Sequence, residues 1–156
     1  MQKILDRTQS SSVRSLHAGE TIVFTNGCFD ILHVGHVRYL SAARRLGGVL
    51  VVGLNSDASV RELKGPGRPL NSEQDRAEVL AALEAVDHVI IFGEKRASNL
   101  LRELAPDIYT KGGDYTPETL DQEEVTVLKE MGAKIEILPL IQGKSTTRLV
   151  QTIQQR

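Results

Sequence analysis

Cysteine occurs once in these 156 residues, tryptophan is absent, and phenylalanine and tyrosine number three each. A single thiol, Cys28, excludes an internal disulfide and a structural zinc site built on cysteines. Charge of one sign is also missing: 19 Lys and Arg stand against 20 Asp and Glu, a formal net charge of −1. A general nucleic-acid binder carries a basic excess, so no nucleic acid is expected as a partner. No run approaches the roughly 18 apolar residues of a membrane span. The start of the chain is polar and Ser-rich, without the apolar centre of a signal peptide. No membrane contact and a cytoplasmic location are therefore the expectations. What is present, 40% hydrophobic and 25% charged residues, suits a globular domain with one core.

Short apolar runs recur at 21–25, 49–54, 89–92, 108–110 and 135–138. The first four are nearly continuous, as strands covered on both faces should be. The last alternates, which suits a sheet edge. Helical patterns lie between them, at about 35–46, 73–85, 97–104, 121–131 and 146–155. In the first of these, Val37, Leu40, Ala43 and Leu46 form one stripe. Strand and helix in alternation predict an α/β fold: a Rossmann-like three-layer sandwich, with a parallel sheet of about five strands and helices on both faces. Ligands of such folds bind beyond the C-terminal strand ends, at the switch point. Residues 1–18 read as a flexible or helical N-terminal segment, and 19–156 as the domain.

The most informative stretch is His33-Val34-Gly35-His36, where the first strand should give way to a helix. A helix N-terminus offers free N–H groups and a positive dipole end. Gly35, lacking a Cβ, lets an anion approach the backbone. The pair suits a phosphate-handling site. The alternatives are an incidental surface pair, or a metal pair for which Asp30 is the one obvious helper. Cys28 reads as a small residue beside this site, since no base is spaced to activate it as a nucleophile.

Three further stretches would reach the same crevice. Lys111-Gly112-Gly113-Asp114-Tyr115 follows a strand and is either a simple turn or a ligand loop. There, Lys111 would meet phosphate and Asp114 a ribose or base. Gln142-Gly143-Lys144-Ser145-Thr146-Thr147 opens the last helix with three hydroxyls, as an ordinary cap or as donors to anionic oxygens. It is not a P-loop, which needs a glycine where Leu138 stands. Lys64, Arg68 and Arg76 are either solvated cations or a phosphate clamp. Lys64 and Arg68 share the Gly- and Pro-rich loop 64–71.

Together these stretches resemble the His-x-Gly-His nucleotidyltransferase superfamily, in its cytidylyltransferase-like branch. The resemblance rests on Gly27 to His36, Asn55-Ser56-Asp57, Lys64, Lys111-Gly112-Gly113-Asp114 and Ser145-Thr146-Thr147, and covers residues 20 to 155. Within that branch, Thr25 to Asp30, Lys64-Gly65-x-x-Arg68-Pro69, Leu83 to Asp87 and Lys111 to Tyr115 look like the ADP-heptose synthase group. That group comprises the D-glycero-β-D-manno-heptose 1-phosphate adenylyltransferases. Cytidylyltransferases for glycerol phosphate or choline phosphate share the histidines. They typically carry Arg-Thr where this chain has Leu140-Ile141.

The resemblance implies transfer of an adenylyl group from ATP to the heptose 1-phosphate, giving ADP-heptose, a lipopolysaccharide precursor, and pyrophosphate. It makes His33, His36 and Lys64 catalytic. It assigns Cys28, Phe29, Gly35, Lys111, Gly112, Gly113, Asp114, Gly143, Ser145, Thr146 and Thr147 to the nucleotide, and Asn26, Asp30, Arg68 and Arg76 to the sugar phosphate. Mg²⁺ would come with ATP, and the protein itself would supply no metal site. Homodimers are common among such relatives, and the lack of room for the sugar kinase often fused to this group implies the free-standing form. A CTP-dependent enzyme for a polyol phosphate such as glycerol 3-phosphate is the rival activity. A non-catalytic nucleotide-binding regulatory module is the rival class.

Overall fold

Val49 to Asn55 is the most apolar strand and the most completely enclosed: all seven residues are buried. In the computed structural model, which describes residues 2–140 and 142–156, this strand is β3. The others are β1 (Ile4–Leu5), β2 (Ile22–Gly27), β4 (His88–Phe92), β5 (Ile108–Gly112) and β6 (Lys134–Leu138). They form one parallel sheet in the order β1-β4-β3-β2-β5-β6. The alternating last strand, β6, does lie at an edge.

The helices are α1 (Val13–Leu16), α2 (Val34–Arg44), α3 (Asp57–Lys64), α4 (Glu73–Ala81), α5 (Ser98–Leu104), α6 (Gln122–Glu130) and α7 (Thr146–Gln154). Successive strand residues point to opposite faces, so the core has two halves. Ile22, Phe24, Val51 and Tyr109 pack against α1, α5 and α6. Val23, Leu50, Val52 and Leu54 pack against α2 and α4. The α/β sandwich is thus as the alternation of patterns predicts. In α2 the buried stripe is narrower than its sequence suggests. Leu40 and Ala43 are fully buried, whereas Val37 is 41% exposed.

Two elements carry little periodicity and were not expected. β1 is only two residues long, but it pairs Ile4 with Val89 and Leu5 with Ile90 at the sheet edge. A 3-10 helix over Arg7–Ser12 and α1 follow, so residues 2–18 pack onto the core through Leu5 and Val13. Arg7 further ties this segment to Glu94 and Glu103. The other is α3, started by Ser56, whose hydroxyl accepts the Ser59 N–H. It puts Lys64 at the end of a helix instead of in the loop.

The order reverses between β2 and β5. From β2 the chain proceeds to β3 and β4, then crosses back to lay β5 on the far side of β2. A crevice therefore opens between the segments that leave these two strands. Among the described residues no helix is long and apolar enough to cross a membrane.

Candidate active site

The crevice at the reversal is a cleft of about 600 Å³. β2 ends on its floor, and the chain then turns through Cys28, Phe29 and Asp30 before α2 begins. Phe29 takes a left-handed backbone conformation at φ 45°. Its ring lies over Gly27, where a Cβ would stand 3.0 Å from Cε2.

His33 caps α2. Its Nδ1 accepts the Gly35 N–H at 3.1 Å, and its own N–H donates to His36 Nδ1 at 3.3 Å. A nitrogen that accepts carries no proton, so both neutral rings hold their hydrogen on Nε2. The two rings lie with centroids 4.0 Å apart, tilted by 34°, and Phe29 lies 5.4 Å from His36. Burial lowers the pKa of His36 to about 4, with help from His33. Burial also lowers that of His33, and Lys144 adds to the effect. The site thus presents two neutral imidazole donors at a helix N-terminus. Gly35 is needed for this arrangement, because a Cβ there would stand 2.7 Å from His33 Cε1 and 2.8 Å from its Nδ1.

Cations surround the pair. Lys64, Arg68, Lys111 and Lys144 all line the cleft. Lys111 donates to the Asn26 carbonyl at 2.8 Å and lies 5.4 Å from the centre of the Tyr115 ring. Burial lowers its pKa, against the attraction of Glu124 and Cys28. Burial raises the pKa of the Cys28 thiol, while Lys64, Arg76 and Lys111 oppose the shift. The thiol therefore stays protonated, unsuited to act as a nucleophile.

Asp30 is 8% exposed and anchors the Gly/Pro loop. It pairs with Arg68 at 2.9 Å and accepts the N–H groups of Leu70 and Asn71. Burial alone would raise its pKa; the two backbone donors and Arg68 outweigh that and lower it. The loop is thus held onto the end of β2, with Arg68 at the cleft wall.

Of the residues singled out from sequence, Asn26, Cys28, Phe29, Asp30, His33, Gly35, His36, Lys64, Arg68, Lys111, Gly112, Asp114, Ser145 and Thr146 all line this one cleft. Four do not. Arg76 is 2% exposed and donates to the carbonyls of Cys28, Asn55 and Asn71 and to Asp57. It braces the cleft floor from below and offers no face to a sugar phosphate. Gly113 packs against the 138–140 backbone, where a Cβ would meet Leu140 N at 3.1 Å. Gly143 takes φ 75° in the turn before α7, and Thr147 is exposed outside the cleft. Thr146 does line the cleft, but its hydroxyl donates to the Ile31 carbonyl at 2.8 Å and ties α7 to the histidine turn. Ser145 Oγ caps α7 through the Arg148 N–H. Ile141 lies outside the described residues.

The cleft also holds residues that sequence reasoning passed over: Tyr39, Lys95, Arg96, Tyr109, Asp121 and Glu124. Lys95 and Arg96 follow β4, so the rule that selects loops after parallel strands would have found them. Glu124, 6% exposed, accepts the Ala97 N–H and the Tyr109 hydroxyl. In sequence it reads only as a first-turn acid behind the cap Asp121. Among the described residues no group of three or more His, Cys, Asp or Glu is arranged to hold a metal ion.

Residues 24–152 match the family model described as cytidylyltransferase-like. The Bifunctional protein HldE of Syntrophotalea carbinolica is 55% identical over 138 residues, covering 88% of this chain and 28% of that protein. The protein of the same name from Citrifermentans bemidjiense is 48% identical over 151 residues, 97% of this chain and 31% of that one. The chain therefore spans less than a third of the length of these curated relatives. Among solved structures, the lipopolysaccharide core biosynthesis protein from Thermoplasma volcanium superposes with a TM-score of 0.66 at 30% identity, over 81% of this chain and all of that one. The pantoate-beta-alanine ligase from Francisella tularensis, at 17% identity and a TM-score of 0.61, shares the fold over 99% of this chain and 77% of its own.

Proposed function

The chain belongs to the cytidylyltransferase-like family, and on that premise we propose that it transfers the adenylyl group of ATP to D-glycero-β-D-manno-heptose 1-phosphate. ADP-heptose and pyrophosphate are the products. The observation that carries the reading is the pair of tautomer-locked imidazoles, each with Nε2–H free, at a helix N-terminus in a cleft ringed by lysines. The relatives named Bifunctional protein HldE and the lipopolysaccharide core biosynthesis protein support its direction toward a sugar phosphate.

The chemistry needs little from the protein beyond position and charge. A sugar 1-phosphate oxygen attacks the α-phosphorus of ATP, the new P–O bond forms, and the bond to the β-phosphate oxygen breaks. The attacking monoester has a second pKa of about 6 and is largely dianionic at neutral pH. No general base is required. The work is to hold two anions together and to stabilise charge on the α-phosphoryl oxygens. His33 and His36 donate Nε2–H to those oxygens. Lys64, Lys111 and Lys144 offset the repulsion between the two polyanions, and the N-terminus of α7 at Ser145 receives the departing phosphates. Mg²⁺ fits this donor set as an ion ligated by the triphosphate and water, without a cage of side chains. It would neutralise phosphate charge.

Pyrophosphate release with Mg²⁺ tests the reading, crossing ATP and CTP against heptose 1-phosphate, glycerol 3-phosphate and choline phosphate. Turnover with ATP and the heptose alone is expected. Turnover with CTP and a polyol phosphate would move the chain to the cytidylyl branch. Nucleotide binding without any turnover would leave a regulatory module.

A further inference from the structure

Asn26 on β2, Tyr109 on β5 and Glu124 on α6 meet at the cleft floor, and one proton too few is available for them. Tyr109 Oη lies 3.2 Å from Asn26 Oδ1 and 3.0 Å from Glu124 Oε2. Both oxygens accept, and a phenol donates once. The carboxylate wins this competition, because a hydrogen bond to an ionised acceptor is about twice as strong as one to a neutral amide. Glu124 is also fixed in place: its other oxygen takes the Ala97 N–H at 2.7 Å, and Tyr109 is 1% exposed. The phenol then faces Asn26 with lone pairs only.

A half-turn of the amide about χ2 exchanges oxygen and nitrogen with almost no change of shape. It sets Nδ2–H against the phenol oxygen. Oδ1 then turns to the cleft that Asn26 lines, where the outer end of the amide has no partner among the described residues. The backbone of Asn26 does not move in this exchange, since its carbonyl holds Lys111 Nζ at 2.8 Å.

We propose that Glu124, acting through Tyr109, holds the Asn26 amide with its carbonyl oxygen toward the cleft, where it accepts a hydrogen bond from a hydroxyl of the sugar phosphate. The identity of that ligand rests on the function proposed above; the orientation rests on hydrogen-bond geometry alone. An acceptor at this point repels phosphate oxygens, which Lys64 and Lys144 attract elsewhere in the cleft. The floor of the cleft thereby sorts the hydroxylated end of the substrate from its phosphorylated end. Glu124 and Tyr109 are positioning residues.

Glu124→Gln reverses the relay. The side-chain oxygen stays on the Ala97 N–H, the new NH₂ donates to Tyr109, and the phenol proton turns to Asn26 Oδ1. The Asn26 NH₂ then faces the cleft. Neutron diffraction from deuterated, ligand-free crystals reads this directly. In the unaltered chain the Tyr109 deuteron should point to Glu124 and Asn26 Nδ2 to the phenol, with both reversed in Glu124→Gln. A deuteron aimed at Asn26 in the unaltered chain overturns the relay.

Kinetics at saturating ATP test the contact. Glu124→Gln should raise KM for the sugar phosphate roughly fivefold, about 1 kcal/mol, and leave that for ATP in place. Adding Asn26→Asp should restore it, because a carboxylate presents an acceptor at both ends. An unchanged KM, or no restoration, overturns the contact. If the unaltered chain turns over no sugar phosphate, the proposed function fails while the neutron result still decides the orientation.

Discussion

Gly35→Ala separates the stability of this fold from its chemistry. An added Cβ would sit 2.7 Å from His33 Cε1 and 2.8 Å from its Nδ1, against an ordinary contact distance of at least 3.4 Å. The backbone need not yield, because the obstacle is a side-chain ring that can rotate. Rotation withdraws Nδ1 from the Gly35 N–H, a bond of about 1 kcal/mol net. Alanine in place of glycine returns at most roughly 0.8–1 kcal/mol, the value for a helix interior, and somewhat less at Gly35, the second residue of α2. The two terms nearly cancel, so Tm should stay within about 4 °C for a chain of this size. Catalysis has no such compensation. Once Nδ1 is released, neither the tautomer nor the direction of Nε2–H is fixed, and one donor to the α-phosphoryl oxygens is lost. Removing one donor of that kind costs roughly 10²-fold in kcat, about 2.7 kcal/mol. Calorimetry alongside steady-state pyrophosphate release makes the test. A variant that keeps kcat within threefold would refute the role of the His33–Gly35 bond, and one that unfolds would refute the claim that only the ring gives way.

His36→Ala should lower kcat roughly 10²-fold with a smaller effect on either KM, since its contact strengthens in the transition state; rates equal to those of the unaltered chain would remove His36 from the reaction. Lys64→Ala should weaken apparent affinity for both substrates several-fold, as expected of an exposed, salt-screened cation; unchanged kinetics would make it a solvated helix end. The depressed pKa of His36 means that between pH 6.5 and about 4 the unfolded chain binds more protons than the folded one. Stability contributed by the neutral ring is therefore complete above pH 6.5 and lost as pH falls, by about 1–2 kcal/mol once screening of the part-exposed ring is allowed for. Urea unfolding at pH 7 and 4.5 should show a smaller loss in His36→Asn, and parallel losses would contradict the assignment. Asp30→Asn can keep an amide oxygen on the Leu70 and Asn71 N–H groups but sets its NH₂ against Arg68 Nη1 and loses the ion pair, which should cost about 1–3 kcal/mol in the same assay; an unaltered midpoint would mean the loop is held elsewhere.

The sheet was legible because β3 and β4 are runs of Val, Ile and Leu, and β2 opens with Ile-Val-Phe, too short for helices and too apolar for a solvated face. β1 escaped because two residues have no period, and its pairing is decided by tertiary contact with β4. α3 escaped for a related reason: with Val60 and Leu63 alone on its apolar side, the Ser56 cap is its main signal. In the site, residues close together in sequence were the readable ones. His33, Gly35 and His36 share a turn, and their spacing already implies mutual contact. Arg76 misled because a cation near a phosphate site looks the same whether its fork meets substrate or three backbone carbonyls. Only burial distinguishes the two. Glu124 and Tyr109 were silent because their meaning lies in a junction of α6 with β5 that no local pattern encodes.

Neutral histidines are an unexpected choice for a site proposed to gather phosphates, and the turn before α2 accounts for it. Phe29 holds φ 45°, a conformation that costs a residue with a Cβ about 1–2 kcal/mol. The strain is offset by laying the ring over Gly27 and within 5.4 Å of His36. The same placement covers the imidazole, and burial is the leading cause of its low pKa. A fully charged His36 would attract ATP, sugar phosphate and pyrophosphate alike, lowering ground states together with the transition state. A neutral donor gains most where charge builds on the α-phosphoryl oxygens, which is where binding energy accelerates a reaction. In the proposed reaction, long-range attraction is left to Lys64 and Lys144 at the exposed cleft wall, where solvent would weaken their hold on the departing product. Under the proposed function, the Gly27-Cys28-Phe29 turn therefore bears on catalysis through solvation, by deciding which of the cleft's nitrogen donors carry charge.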